Sequence, residues 1–138
     1  MRLLIIDDDT AHGESLADLL NTRGHDAYFA SSLDEARWLL DLFSFDLALI
    51  DFEMPEHDGP AVASALSEID GGLRCIVMSA RVNDAGCQHE LGDLPFVSKP
   101  ISIDDLLDLL LRVVADRAGS SLVVRLAFPL VPYRRQHD

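Results

Sequence analysis

The chain has 138 residues, 49% of them hydrophobic and 25% charged, which predicts one folded domain with a substantial core and argues against disorder. Its net charge is −13, from 24 acidic and 11 basic residues, and repulsion between like charges argues against direct binding to nucleic acid. No apolar stretch approaches the roughly 18 residues that a membrane helix needs. The chain also starts without a signal-peptide pattern, so we expect no membrane association and a cytoplasmic location.

The first part of the chain predicts two strands and two helices in alternation. The apolar run within residues 2–7 is typical of a buried strand, and a short strand is expected over residues 26–30. Residues 10–23 have the apolar spacing of a helix and end at Gly24, a residue type that commonly terminates helices. Ser32 and Glu35 have the spacing of a capping box, in which each side chain accepts a hydrogen bond from the other residue's backbone N–H. The helix that they begin extends to about Phe43.

The middle of the chain continues this alternation. Further buried strands are expected over residues 46–51 and 74–78. Pro60 is expected at the first position of a helix, where its missing N–H is tolerated, and this helix ends near Gly71. Cys75 lies in a predicted buried strand and Cys87 in a polar segment. Two such cysteines do not make a disulfide framework, so both are expected to be reduced thiols.

The last part of the chain predicts a strand between two unequal helices. Gly86 and Gly92 leave only a short, weak helix within residues 82–94, and a strand is expected over 96–98. Ser102 then has the position of a helix cap, before a long helix that extends to about residue 117. This alternation predicts an α/β fold, a doubly wound five-stranded parallel sheet with helices on both faces.

The last predicted helix is apolar around most of its circumference. Its apolar residues are Leu106, Leu107, Leu109, Leu110, Leu111, Val113 and Val114. Such a helix predicts either a wide face buried within the chain or a surface for a dimer or another partner. Residues 121–128, within a C-terminal tail over 119–138, have the character of one more strand. That strand could cover the helix, extend the sheet or pair with another chain.

Charged or hydroxyl side chains follow four of the predicted strands. Residues 7–9 are all Asp and follow the first strand, Asp51 ends the third, Ser79 follows the fourth and Lys99 follows the fifth. Ligands of open parallel sheets bind beyond the carboxyl ends of the strands. The sequence therefore predicts carboxylates, a hydroxyl and an ammonium group at one edge of the sheet.

These features, in this order, resemble the receiver domain of two-component response regulators over residues 1 to about 117. The matching signatures are the acidic cluster, Asp51 followed by Met54-Pro55 and Asp58-Gly59, then Ser79-Ala80, and finally Lys99-Pro100. The resemblance implies a flavodoxin-like sheet with strand order 2-1-3-4-5. It also implies a receiver domain over residues 1–118 and a separate tail over 119–138.

The resemblance implies that Asp51 accepts a phosphoryl group from a phosphohistidine on a sensor histidine kinase or phosphotransfer protein. The alternative for Asp51 is a solvated acid at a strand end. Mg²⁺ is the implied cofactor, because a hard divalent cation relieves the repulsion between clustered carboxylates. In the family's pattern Asp8 binds the metal directly and Asp7 acts largely through water, while Asp51 and the backbone carbonyl of Glu53 complete the protein ligands. Asp9 is expected to be a helix cap or a surface acid.

The remaining site residues also take their roles from the resemblance. Lys99 supplies a positive charge to the phosphoryl oxygens, and the bond to Pro100 is often cis in this family. Ser79 offers a hydroxyl donor that moves to the phosphoryl group. Phe96 matches the aromatic switch position, where its effect would be steric; the alternative is plain core packing.

Two features depart from the family's pattern. Glu53 lies two residues after Asp51, and Arg81 two residues after Ser79. These positions tune hydrolysis of the phosphoryl group in the family, so Glu53 and Arg81 are expected either to pair over the site or to remain two solvated charges. The stretch between Ser79 and Phe96 is shorter than the family pattern, so the fourth helix is expected to be short.

Three functions are compatible with these residues. The first is a stand-alone receiver, a phosphoryl-accepting switch and not an enzyme on separate substrates, which changes the surface that it presents to a downstream protein. The second is a phosphorylation-independent interaction module that dimerises through helix 5 and the tail. The third, a metal-dependent phosphatase or hydrolase, is disfavoured because the sequence offers neither a second general acid nor a Gly-rich substrate loop.

Overall fold

The computed structural model of the chain describes residues 1–81 and 83–117. Within those residues five strands alternate with five helices. The strands are β1 (Arg2–Ile6), β2 (Asp26–Ala30), β3 (Leu47–Asp51), β4 (Arg74–Ser79) and β5 (Phe96–Ser98). The helices are α1 (Thr10–Thr22), α2 (Leu33–Leu42), α3 (Gly59–Ile69), α4 (Ala85–Leu91) and α5 (Ile103–Arg117).

The strands form one parallel sheet in the order β2-β1-β3-β4-β5, as the resemblance implied. The chain divides into two compact units, Met1–Met78 and Ser79–Asp138, with the boundary inside β4. The predicted strand over 121–128 and the rest of the tail lie outside the described residues. None of the described helices is long and apolar enough to cross a membrane.

The core of the first unit is built on β1 and β3. Every residue of Leu3–Ile6 and of Leu47–Ile50 is 0% exposed, which confirms the interpretation of these apolar runs as strands buried on both faces. β1 pairs with β2 on one side and with β3 on the other, and in the second pairing Ile6 lies opposite Ile50. The residues that directly follow these two strands therefore emerge side by side.

Local capping follows the sequence for α1. The carboxylate of Asp9 accepts a hydrogen bond from the backbone N–H of His12 at 3.1 Å, which confirms Asp9 as a helix cap. Gly24 follows the end of α1 with a φ of 88°, a left-handed conformation that glycine adopts without steric cost. The predicted end of this helix is therefore also confirmed.

The predicted capping box of α2 is only half correct. Ser32 accepts the backbone N–H of Glu35 at 3.2 Å, as expected. The Glu35 carboxylate does not return the bond to Ser32 but accepts the backbone N–H of Ser31 at 3.1 Å, and also the Ser31 hydroxyl. Ser31 offers two donors to one carboxylate oxygen, and the carboxylate therefore binds one residue further back.

α3 begins one residue earlier than predicted. Asp58 is its N-cap and accepts the backbone N–H of Ala61 at 2.9 Å, so the helix starts at Gly59 and Pro60 lies one position later. Pro is still tolerated there, because the N–H groups of the first helical turn have no partner within the helix.

The second unit contains the short helix that the sequence predicted. α4 has 7 residues and is capped by Asp84, which accepts the backbone N–H groups of Gly86 and Cys87. The Arg81 guanidinium, at 3.1 Å from Asp84, holds the pKa of that carboxyl below its ordinary value, with help from the N–H groups of Cys87 and Gly86.

Among the described side chains of α5, four apolar ones are buried. Leu106, Leu109, Leu110 and Val113 are at most 3% exposed, whereas Leu111 is 67% exposed. Burial of this set favours the first of the two interpretations of the helix, a wide intramolecular face. A dimer surface on α5 stays a prediction that rests on Leu111.

Both cysteines are free and buried. Cys87 lies in a polar segment of the sequence, yet the first turn of α4 turns its side chain inward and leaves it 0% exposed. Burial raises the pKa of the Cys75 thiol to about 11, since desolvation disfavours the thiolate.

We therefore expect iodoacetamide to modify neither cysteine of the native protein at mildly alkaline pH. The thiolate is the nucleophile, and both sulfur atoms are shielded from the reagent. Intact-mass spectrometry measures the modification, with the guanidinium-unfolded chain as the control that takes up two groups. Rapid modification of the native chain at either cysteine would contradict this description of the core.

Candidate functional site

Three carboxylates converge beyond the ends of β1 and β3. Oxygen atoms of Asp7, Asp8 and Asp51 all lie within 4.8 Å of one another. Asp7 and Asp8 directly follow β1, and Asp51 is the last residue of β3. The parallel pairing of these two strands therefore brings together the acids that the sequence placed at one edge of the sheet.

The cluster is buried on one side and exposed on the other. Asp7 is 0% and Asp51 5% exposed, whereas Asp8 is exposed. The backbone N–H of Glu53 donates to Asp51 at 3.4 Å. Carboxylates at this spacing, with one member open to solvent, suit a hard divalent cation that keeps part of its water shell.

His12 binds this cluster, and sequence reasoning missed it. Its Nδ1 lies 2.6 Å from Oδ2 of Asp7, while the backbone N–H of Asp9 donates to Oδ1 of Asp7 at 2.9 Å. His12 is in the first turn of α1, and helical side chains incline toward the N-terminus of their helix. That inclination is the signal that could have identified the contact, because the end of β1 lies in this direction.

The segment after Asp51 is held by backbone hydrogen bonds. The N–H of Phe52 donates to the carbonyl of Met78 at 2.8 Å, and the N–H of Gly59 donates to the carbonyl of Phe52 at 2.8 Å. A Cβ atom at Gly59 would lie 2.9 Å from Cα of Phe52 and 3.2 Å from the carbonyl oxygen of Asp51. Glycine is therefore required here by close approach of α3 to the end of β3, a reason that the Asp-Gly signature alone did not reveal.

We expect Gly59→Ala to destabilise the protein by about 1–3 kcal/mol, because the added methyl group meets backbone that cannot move aside. Gly71→Ala is the matched control: its Cβ would have no atom nearer than 3.9 Å, and a change within about 0.5 kcal/mol is expected. Urea unfolding measures both free energies. Equal stability of the two variants would contradict the close packing of Gly59 against β3.

The other predicted site residues belong to the second unit. The backbone N–H of Lys99 donates to the carbonyl of Ser79 at 2.9 Å, so these two residues adjoin at the ends of β4 and β5. The hydroxyl of Ser79 accepts the backbone N–H of Arg81 at 2.9 Å and lies 3.6 Å from Sγ of Cys87. The Lys99–Pro100 peptide bond is cis, as the resemblance implied.

The roles of the second-unit residues toward the acids stay predictions. Phe96 is half-buried at the start of β5. The guanidinium of Arg81 binds Asp84, within its own unit. The pairing of Arg81 with Glu53, and the approach of Lys99 and Ser79 to a phosphoryl group, therefore stay predictions.

Comparison with known proteins yields one consistent family. The family described as response regulator receiver domain matches residues 3–111. A response regulator receiver protein of Anaeromyxobacter sp. (strain Fw109-5) is 34% identical over 110 residues, which are 78% of this chain and 46% of that protein. Sporulation initiation phosphotransferase F of Bacillus subtilis (strain 168) is 28% identical over 109 residues, 78% of this chain and 88% of that protein. The chain thus spans less than half the length of the first relative and most of the second.

Solved structures agree with this result. The non-phosphorylated HemR receiver domain of Leptospira biflexa is 27% identical with a TM-score of 0.67, and the match covers 82% of this chain and 93% of that one. The response regulator TrrA of Thermotoga maritima, solved in complex with Mg²⁺-BeF, is 23% identical with a TM-score of 0.67 and coverage of 81% and 97%. At that identity the second comparison shows the fold alone.

Proposed function

Because the chain belongs to the response regulator receiver domain family, we propose that it is a signalling switch in which Asp51 accepts a phosphoryl group. The donor is a phosphohistidine on a sensor histidine kinase or on a phosphotransfer protein. A carboxylate oxygen of Asp51 forms a bond to phosphorus while the phosphorus–nitrogen bond of the donor breaks. The product is an aspartyl phosphate, and the departing imidazole nitrogen keeps the bonding electron pair.

One observation carries this proposal: the carboxylate of Asp51 lies within 4.8 Å of those of Asp7 and Asp8 at the ends of paired strands. The alternative for Asp51, a solvated acid at a strand end, does not require two other carboxylates beside it. A divalent cation relieves the repulsion between clustered carboxylates, and phosphoryl transfer requires neutralisation of the charge on the transferring group. The same arrangement therefore serves both needs.

Mg²⁺ is the cation that we propose for this cluster. Asp8 and Asp51 would bind it directly together with the backbone carbonyl of Glu53, while Asp7 would act through water. Bound there, Mg²⁺ neutralises negative charge on the phosphoryl oxygens. The exposed position of Asp8 and the Mg²⁺-BeF complex of the TrrA structure support this choice.

The second unit would supply the rest of the switch. We assign to Lys99 the positive charge that binds the phosphoryl oxygens and to Ser79 the hydroxyl that hydrogen-bonds them after transfer. Phe96 would then respond by steric fit, and the resulting shift between two conformations would change the surface offered to a downstream protein. Support comes from the backbone hydrogen bond between Lys99 and Ser79, which joins the ends of β4 and β5.

We expect acetyl phosphate with Mg²⁺ to add one phosphoryl group to the wild-type protein and none to Asp51→Asn, since an amide is not a nucleophile toward phosphorus. Intact-mass spectrometry measures the addition, and EDTA is expected to suppress it. Asp41→Asn is the matched control, because Asp41 is an exposed acid within α2. Equal labelling of Asp51→Asn and wild type would remove Asp51 as the acceptor.

We also propose that Glu53 and Arg81 form an ion pair that slows the access of water to the aspartyl phosphate. Glu53→Ala and Arg81→Ala are each expected to raise the dephosphorylation rate by up to about fivefold, the factor that corresponds to about 1 kcal/mol for an exposed pair. Loss of phosphoryl group over time measures the rate, with Glu56→Ala, another exposed acid, as control. Unchanged rates in both variants would mean two independent solvated charges.

A further inference from the structure

We propose that His12 is a positioning residue for the metal site, which fixes the orientation of the buried Asp7 carboxylate toward the water shell of the cation. This inference rests on the proposed function, because it concerns the same acidic cluster. Neither the family's site residues nor the sequence pattern assigned a role to His12.

The contact is specific in its chemistry. Oδ2 of Asp7 lies 2.6 Å from Nδ1 of His12, slightly closer than the roughly 2.7–3.2 Å that is usual for N–H···O hydrogen bonds. With Asp7 as a carboxylate, which only accepts hydrogen bonds, Nδ1 of His12 is the donor in this contact. The Asp7 side chain is 0% exposed, whereas that of His12 is 35% exposed. The imidazole of His12 therefore links the buried Asp7 carboxylate to the protein surface.

Three hydrogen bonds connect Asp7, Asp9 and His12 in a closed cycle at the start of α1. The N–H of Asp9 donates to Oδ1 of Asp7 at 2.9 Å, and the N–H of His12 donates to Oδ1 of Asp9 at 3.1 Å. The imidazole of His12 then returns to Oδ2 of Asp7. The cap that starts the helix thus also sets the position from which the imidazole reaches the carboxylate.

This hydrogen-bond cycle determines which acceptor directions of the Asp7 carboxylate remain for the metal site. Each carboxylate oxygen has about two acceptor directions. Each oxygen of Asp7 uses one of them for its partner in the hydrogen-bond cycle. The remaining direction on each oxygen can serve a metal-bound water. Because two donors on opposite oxygens prevent rotation of the carboxylate, Asp7 presents these directions without further ordering when the cation binds.

The test is isothermal titration calorimetry with MgCl₂ on four proteins: wild type, His12→Leu, His12→Asn and His89→Leu. Leu fills similar space without a donor, whereas the amide of Asn places an N–H near the position of Nδ1. His89 is an exposed helical histidine of α4 and serves as the matched control. Urea unfolding without Mg²⁺ reports the stability of each variant separately from its metal binding.

We expect His12→Leu to weaken Mg²⁺ binding about tenfold, the lower end of the loss that follows removal of a hydrogen-bond partner from a metal ligand. His12→Asn should recover most of this affinity, and His89→Leu should bind as wild type does. If His12→Leu does not fold, His12→Gln replaces it. The amide of Gln reaches past the position of Nδ1, so His12→Gln should bind Mg²⁺ more weakly than His12→Asn does.

Equal affinity of wild type and His12→Leu would overturn the positioning role and leave the proposed function intact. Equal weakening in His12→Leu and His12→Asn would also overturn it, since the bulk of the ring rather than its donor would then matter. Absence of Mg²⁺ binding by the wild-type protein would overturn both the positioning role and the proposed metal site.

Discussion

The parallel pairing of β1 with β3 is the constraint on which the candidate site depends. Both strands are completely buried over the residues that pair, and Ile6 lies opposite Ile50 at the end of the ladder. Burial of apolar side chains on both faces stabilises this pairing strongly, and a displaced register would separate the strand ends. The convergence of Asp7, Asp8 and Asp51 is thus a consequence of core packing rather than of attraction between the acids.

That convergence carries an electrostatic cost, which the surrounding backbone partly offsets. A buried carboxylate is tolerated only with hydrogen bonds or a compensating charge. Asp7 accepts the N–H of Asp9 and contacts Nδ1 of His12, and Asp51 accepts the N–H of Glu53. A cation would offset the remaining repulsion.

Close packing against α3 also positions the end of β3. Gly59 allows the first turn of α3 to approach the end of β3, and its N–H binds the carbonyl of Phe52. In the second unit a backbone hydrogen bond joins Lys99 to Ser79. The Ser79 hydroxyl also lies beside Cys87, which belongs to the short helix α4. These hydrogen bonds hold the backbone at Phe52, Ser79 and Lys99.

The sequence by itself determined the order of strands and helices, the cap at Asp9, the end of α1 at Gly24 and the acids at the strand ends, because periodicity and capping act between near neighbours in the chain. It did not determine the second partner of Glu35, the burial of Cys87, the close approach at Gly59 or the bond from His12 to Asp7. Each of these depends on which surfaces are brought together when strands pair and helices pack. Only the tertiary structure decided them, because contact distances of a few ångströms are set by packing across the fold and not by spacing along the chain.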